Sequence, residues 1–210
     1  VLSAAGYQTT TLASAREALA LIDKGAQFDA VVTDIDMPDV DGYTFARALR
    51  AGLIGHDAVA ALKALVFADL AFLRDGRSFE KSLEQTLTRL ARFVKRYVLH
   101  DGIVAERAPH LQLVVLRHLV DVRAALISAE RRPPAELVAA IDRLAPMLRL
   151  FRHGDGGLAL FNGAWEGDRT MIDLVLARSG SSEPAPKSAL VSGFQRLAAG
   201  TSLVIADSGS

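Results

Sequence analysis

The sequence predicts an α/β segment at the N-terminus, then antiparallel α-helical hairpins, then the start of an antiparallel β domain. Three observations predict this. Over residues 1–50, short apolar runs alternate with amphipathic helical patterns. From Ala51 the pattern turns to long helices, with no further strand signal until beyond residue 155. From His153 onward, turn clusters separate short runs rich in Leu, Val and Phe.

Bulk properties narrow the function classes. The 210 residues suffice for two small domains, each able to bury a core. The 24 basic and 24 acidic residues balance, so no nucleic acid or anionic surface is expected as an obligatory partner. Cysteine is absent, which excludes disulfides and thiolate metal sites. No apolar run approaches the roughly 20 residues of a membrane span. Val1-Leu2-Ser3 carries neither an initiator Met nor a basic region followed by an apolar core. No signal peptide is therefore expected, and the chain is expected to begin inside a larger reading frame.

Taken in order, Gly6 leads to an expected strand at Tyr7 to Thr10, followed by a helix from Ser14 to Asp23 with Ala15, Ala18, Leu19 and Ile22 on its apolar face. A strand is expected at Ala30 to Thr33, then an acidic loop, then a helix from about Tyr43 to Arg50. A helix over Asp57 to Leu73 is apolar on most sides and should be buried. Ser78 can cap the next, in which Phe79, Leu83, Leu87, Leu90, Val94 and Val98 form one stripe. Pro109 opens a helix carrying Leu111, Val115, Leu119, Val122 and Leu126. Pro133-Pro134 opens another, with Leu137, Ile141 and Leu144 inward and a kink or break expected before Pro146. Further on, a strand is expected at Leu158 to Phe161, a hairpin turn at Asn162-Gly163 and a short helix from Thr170 to Ala177. An exposed loop over Ser179 to Lys187 precedes two strands, Phe194 to Leu197 and Ser202 to Ala206, joined by a turn at Ala199-Gly200.

The chemistry-bearing stretch of the first third is AVVTDIDMPDVDGY, Ala30 to Tyr43. A short apolar run delivers Asp34 to a loop that also holds Asp36, Asp39 and Asp41, the way a parallel strand ends at the ligand-binding mouth of an α/β sheet. With AGYQTT, the EAL helix and the closing ALR, this stretch resembles the receiver domain of two-component response regulators, a flavodoxin-like fold. Asp34, Met37, Pro38 and Gly42 supply its Asp-x-x-Met-Pro-x-x-x-Gly signature. The resemblance implies that Asp34 is the phosphoacceptor and that a histidine kinase or phosphotransfer protein is the donor. It also implies a cytoplasmic location, with Mg2+ held by the Asp34 carboxylate and the Asp36 carbonyl. A carboxylate attacking phosphorus needs metal and cationic donors to neutralise the phosphoryl oxygens. The acidic pair, the Thr or Ser and the Lys that supply these in the family have no counterpart in this sequence, so only a weak Mg2+ site is expected.

Residues about 61–210 carry a second resemblance. AIDRLAPMLRLFRHGDGGLALFNGAWEGD (Ala140 to Asp168), SGFQRLAAGTSLVIADSGS and, more loosely, DGIVAERAPHLQLVVLRHLVDVRAAL resemble the bacterial heparinase II/III-like polysaccharide lyases. Their fold is an α/α toroid followed by a β-sandwich. The implied activity is β-elimination on an acidic polysaccharide, which needs a base, an acid and a group that neutralises the uronate. Arg107, Arg152, His153, Asp155 and Asn162 are the residues left here to contact such a polymer. For His153 and Asp155, satisfying the toroid-to-sandwich turn is the competing role. His100, His110 and His118 lie apart along helices, with spacing unsuited to an i, i+4 metal pair, and the lone Trp165 is expected to be core.

The expected organisation is a partial receiver over 1–50, a junction at 51–60, a toroid-like segment over 61–152 and the start of a sandwich over 153–210. Three readings stay open: a phosphorelay receiver fused to a lyase fragment, a lyase with an incidental N-terminus, and a non-functional gene-fragment junction.

Overall fold

A computed structural model describes residues 6, 8–23, 26, 28, 31–32, 55–71 and 77–209. The chain divides into two compact units, Val1–Leu53 and Ile54–Ser210.

In the first unit the described element is helix α1, Ala15–Asp23. Its start follows from Ser14-Ala15-Arg16-Glu17. The Ser14 Oγ accepts from the Glu17 backbone N–H at 3.2 Å, and Glu17 Oε2 accepts from the Ala13 N–H at 3.2 Å, so two otherwise orphaned donors are satisfied reciprocally. Residues 8–10 and 31–32 lie in no strand ladder among the described residues. The remainder of the two expected strands, the acidic loop with Asp34, Asp36, Met37, Pro38 and Gly42, and the helix expected from Tyr43 lie outside the described residues.

The second unit is mostly helical: α2 (Gly55–Ala71), α3 (Arg77–Tyr97), α4 (Pro109–Ser128), α5 (Ala135–Leu150) and α6 (Arg169–Ser179). It ends in a three-stranded antiparallel sheet of β1 (Ser188–Ala189), β2 (Phe194–Ala199) and β3 (Ser202–Asp207), in that spatial order. α4 is the central helix, packed against α2, α5 and α6. That is why Leu113, Leu116 and Val120 are buried in addition to the single stripe of Val115, Leu119, Val122 and Leu126 read from the sequence. A helix covered on several sides loses the one-face pattern.

Among the buried polar side chains, two sets join elements across the core. Asp69 on α2 is fully buried and accepts from Thr86 Oγ1 on α3 at 3.0 Å. Gln112 on α4 is fully buried and ties three backbone groups together: its Nε2 donates to Gly102 O (2.7 Å) and Leu144 O (3.1 Å), while its Oε1 accepts from the Val104 N–H (3.0 Å). The loop from Leu99 to Ala108 is thereby fastened to α4 and α5. Gly102, at φ 90°, lies against the Arg143 backbone. A Cβ there would meet that carbonyl, so Gly102→Ala should cost on the order of 2–3 kcal/mol in urea unfolding of the intact chain.

Three expectations are corrected. Helix α5 continues through Pro146 without a break, ending at Leu150. Proline removes one N–H and crowds the preceding turn, and here the fully buried Ile141, Leu144, Leu148 and Leu150 around it hold the helix together. Leu158 to Phe161 is not a strand; it makes a single bridge, Leu158 with Arg152. The Asn162-Gly163 turn does form, with both residues at positive φ (51° and 74°) and the Ala164 N–H bonded to Phe161 O at 3.0 Å, but it closes a loop rather than a ladder. The terminal sheet also holds a third strand, β1, too short at two residues to leave a periodic signal.

Sheet and helices are fastened by specific contacts. Phe194 at the start of β2 is fully buried, edge-on to Phe151 at 4.8 Å between ring centroids and 5.4 Å from Phe161. The Arg196 guanidinium donates to Leu150 O (3.1 Å) and Arg152 O (2.8 Å), carbonyls left open where α5 ends. Asp101 Oδ2 accepts from both the N–H (2.7 Å) and the Oγ (2.9 Å) of Ser192.

Candidate functional site

The site is built by the loop between α3 and α4. Leu99 N–H bonds to Ile103 O (2.8 Å) and Ala105 N–H to Tyr97 O (3.0 Å), so the chain folds back on the end of α3 and brings Glu106 beside Tyr97. Arg107 then takes a positive φ of 56°, Ala108 is extended, and Pro109 starts α4, which sets His110 in its first turn. Across from this loop, Glu106 Oε1 lies against Gly55, the first residue of α2, which is itself at φ 60°. A carboxylate is favourable at a helix N-terminus, and only a glycine leaves it room.

Four side chains meet at this corner. Tyr97 is 6% exposed and its hydroxyl faces the Glu106 carboxylate; the hydroxyl, Glu106 Oε2 and His110 Nδ1 are all closed to solvent. The Trp165 ring lies on the His110 imidazole at 4.0 Å between centroids, and Trp165 is 59% exposed. Burial first, then the adjoining Glu106 carboxylate, pushes the Tyr97 phenol far above its usual range. Burial and then His56 lower His110 below the ordinary histidine value, with Glu106 opposing. The corner thus presents one carboxylate, a neutral phenol, an imidazole that favours its neutral form, and an open aromatic face.

The residues read from the sequence as polymer contacts are engaged within the chain. The Arg107 Nε donates to Ser192 O (3.0 Å), its guanidinium pairs with Asp207, and it lies 5.0 Å above the Phe194 ring. Asn162 Nδ2 donates to Arg107 O at 2.9 Å. Arg152 donates to Gly156 O (3.0 Å) and pairs with Asp173 (2.7 Å). Asp155 accepts from the Gly157 N–H (3.0 Å) and pairs with Arg169 (2.8 Å); the Gly157 bond, with smaller help from Arg169, holds its carboxyl below the usual range. The His153 N–H bonds to Gly157 O at 2.9 Å, and its side chain is exposed. Arg107 and Asn162 are brought together; Arg152, His153 and Asp155 share the turn after α5.

Glu106 and Tyr97 carried no sequence signal, since one sits in a short polar run and the other closes an amphipathic stripe. Trp165 was expected in the core and is on the surface. His118 is drawn into a network in which Lys63 contacts its Nδ1 (3.4 Å) and pairs with Asp121 (2.7 Å), which also pairs with Arg178 (2.8 Å). Among the described residues no group of three or more His, Asp or Glu could hold a metal ion. The Mg2+ expectation rests on Asp34 and Asp36, outside those residues.

Residues 1–58 match the response regulator receiver domain. FtsZ-localized protein C of Caulobacter vibrioides (strain NA1000 / CB15N) is 32% identical over 166 residues, which is 79% of this chain and 26% of that protein. The chain therefore spans about a quarter of the length of that relative. A crystal structure of heparinase III is similar over 65% of this chain and 22% of its own, with a TM-score of 0.55 and 15% identity. Both resemblances read from the sequence hold: a receiver at the N-terminus, and a heparinase-like fold in the mostly helical remainder with its small C-terminal sheet. Among the described residues no helix is long and apolar enough to cross a membrane.

Proposed function

We propose that the chain couples a receiver segment, with Asp34 as phosphoacceptor, to a heparinase-fold module that recognises saccharide at the Tyr97–Glu106–His110–Trp165 corner. The observation that carries the second half is the solvent-facing Trp165 ring, stacked on His110 beside the buried polar groups of Tyr97 and Glu106. An aromatic body open to water on one face, with polar groups at its edge, is a surface on which a sugar ring can lie. Elimination next to a uronate would also need a free cation for the carboxylate, and Arg107 and Arg152 already pair with Asp207 and Asp173. Recognition without cleavage therefore fits this arrangement better than lyase chemistry.

A fusion of receiver and heparinase-like parts is favoured over an accidental junction. Any continuous 166-residue stretch of this chain must include residues 45–166, so the likeness to the Caulobacter protein runs across residues 51–60. The name of that relative supports a second reading, in which the module places the chain alongside FtsZ. A fluorescent fusion that stays diffuse when FtsZ is assembled would overturn it.

Two measurements test the main reading. Incubation of the chain with Mg2+ and a small phosphodonor is expected to label wild type and not Asp34→Asn, read by intact-mass spectrometry; a label that persists in Asp34→Asn removes Asp34 from the role. Electrophoresis through gels containing neutral, acidic or amino polysaccharide is expected to retard the wild type in at least one, with no ultraviolet-absorbing unsaturated uronide formed. Unretarded migration in all three would reject saccharide recognition.

A further inference from the structure

We infer that the groove between α3 and the start of α5 docks an acidic polypeptide segment, one that sets an apolar side chain into the groove and carboxylates along its rim. The charge pattern carries it. From Gln85 to His100 the sequence holds Arg89, Arg92, Lys95 and Arg96 and no acid. All four cations are exposed, and none is ion-paired among the described residues. Helix α3 ends at Tyr97, so the attraction of cations to a helix C-terminus accounts for Lys95 and Arg96 in its last turn and not for Arg89 and Arg92. Arg89, Arg92 and Arg96 follow one another at three and four residues, which sets them along one side of the helix at steps of about 4.5–6 Å. Carboxylates on one face of a helix, or at alternate residues of a strand, recur at similar steps.

This side of α3 borders an open groove of about 380 Å³. Leu87 and Ala91 of α3 and Pro134 ahead of α5 give it apolar walls, Arg92 and Lys95 line it beside them, and Glu136 in the first turn of α5 completes the lining. That mixture favours a polypeptide over other polyanions. A polymer charged at every unit would set one of its charges against Glu136 and the apolar walls. A polypeptide can place carboxylates against the arginines and an apolar side chain between them. The chain is neutral overall, so the attraction is local to this groove rather than a field that gathers any polyanion.

Fluorescence anisotropy with the intact chain tests this, the probe being a fluorescein-labelled peptide of glutamates around one central leucine. The probe is expected to bind at low salt and to weaken as salt rises. Replacing its glutamates by glutamine is expected to weaken it at least about tenfold, and replacing its leucine by serine several-fold. In the chain, the double variant Arg92→Glu/Lys95→Glu is expected to weaken the probe at least about tenfold, because two exposed attractions become two repulsions. Lys187→Glu, the same reversal on the exposed loop before β1, is expected to leave it unchanged. Helix content by circular dichroism confirms the fold of each variant. Should the double variant lose that content, Glu136→Gln is read in its place; it is expected to tighten the probe several-fold, and unchanged affinity there overturns the inference. Equal binding of the glutamine or serine counterpart, no loss in a folded double variant, or no binding of the probe at all also overturns it. So does tighter binding of single-stranded DNA, polygalacturonate or phosphatidylglycerol vesicles than of the peptide.

Discussion

Gln112→Leu is expected to lower the unfolding free energy by about 3 kcal/mol, because it strips a fully buried position of three hydrogen bonds at once. The side chains are close in volume, so little of the loss comes from a cavity. It comes from the partners left behind: the Val104 N–H and Gly102 O are buried loop groups, whereas Leu144 O keeps its helical bond within α5. Each such orphan costs about 1–3 kcal/mol, and partial relaxation of the loop keeps the sum below two full penalties. The midpoint of urea unfolding of the intact chain should shift with little change in slope. The loop held by Gln112 also carries Glu106 and Arg107, so the same variant should weaken any ligand read at Trp165. A stability loss below about 1 kcal/mol would mean that Gln112 is not the fastener of this loop.

The contrast between Gln112 and its neighbours shows which parts of this fold are legible in the sequence. Helices α2 to α5 were located to within two residues at their starts, because apolar periodicity, Pro109 and the Pro133-Pro134 pair are local signals. The strands β2 and β3 were legible for the same reason, as was the turn at Asn162-Gly163, where two positive φ angles demand those residues. What lay beyond local reading was whatever depends on a distant partner. Gln112 reads as a polar residue on a helix until Gly102 and Leu144 are beside it. Arg107 reads as a free cation until Asp207, one hundred residues later, is paired to it. The corner at Tyr97 and Glu106 needs α2, α3 and the loop after it in place, so no spacing rule announces it. Leu158 to Phe161 misled in the opposite direction: the residues suit a strand, but only Leu158 finds a partner for a bridge.

Acidification should destabilise the helical unit well before its carboxylates are titrated, because of His118. Burial first, then Lys63 and Arg117, lowers His118 from 6.5 to about 4. Lys63 Nζ stands 3.4 Å from its Nδ1, so the ring is held neutral and accepts from the ammonium. A folded-state value below the unfolded one means that, between pH 6.5 and about 4, the unfolded chain binds a proton that the folded chain refuses. Stability is therefore complete above pH 6.5 and falls as pH drops through that window. Below about 4 the folded state also protonates and His118 removes nothing further. With the ring partly exposed and screened, the loss is about 2 kcal/mol rather than the full linkage value. Asp121 takes over at lower pH. Burial would raise it, but Lys63 and Arg178 outweigh that and hold it below the ordinary aspartate value, so its contribution is lost as pH falls through the depressed value. Urea unfolding of wild type at pH 7 and pH 4.5 should show this loss, and His118→Gln should remove most of the difference while leaving the Asp121 arm below pH 4. A His118→Gln profile parallel to wild type between pH 7 and 4.5 would show that the proton is taken up elsewhere.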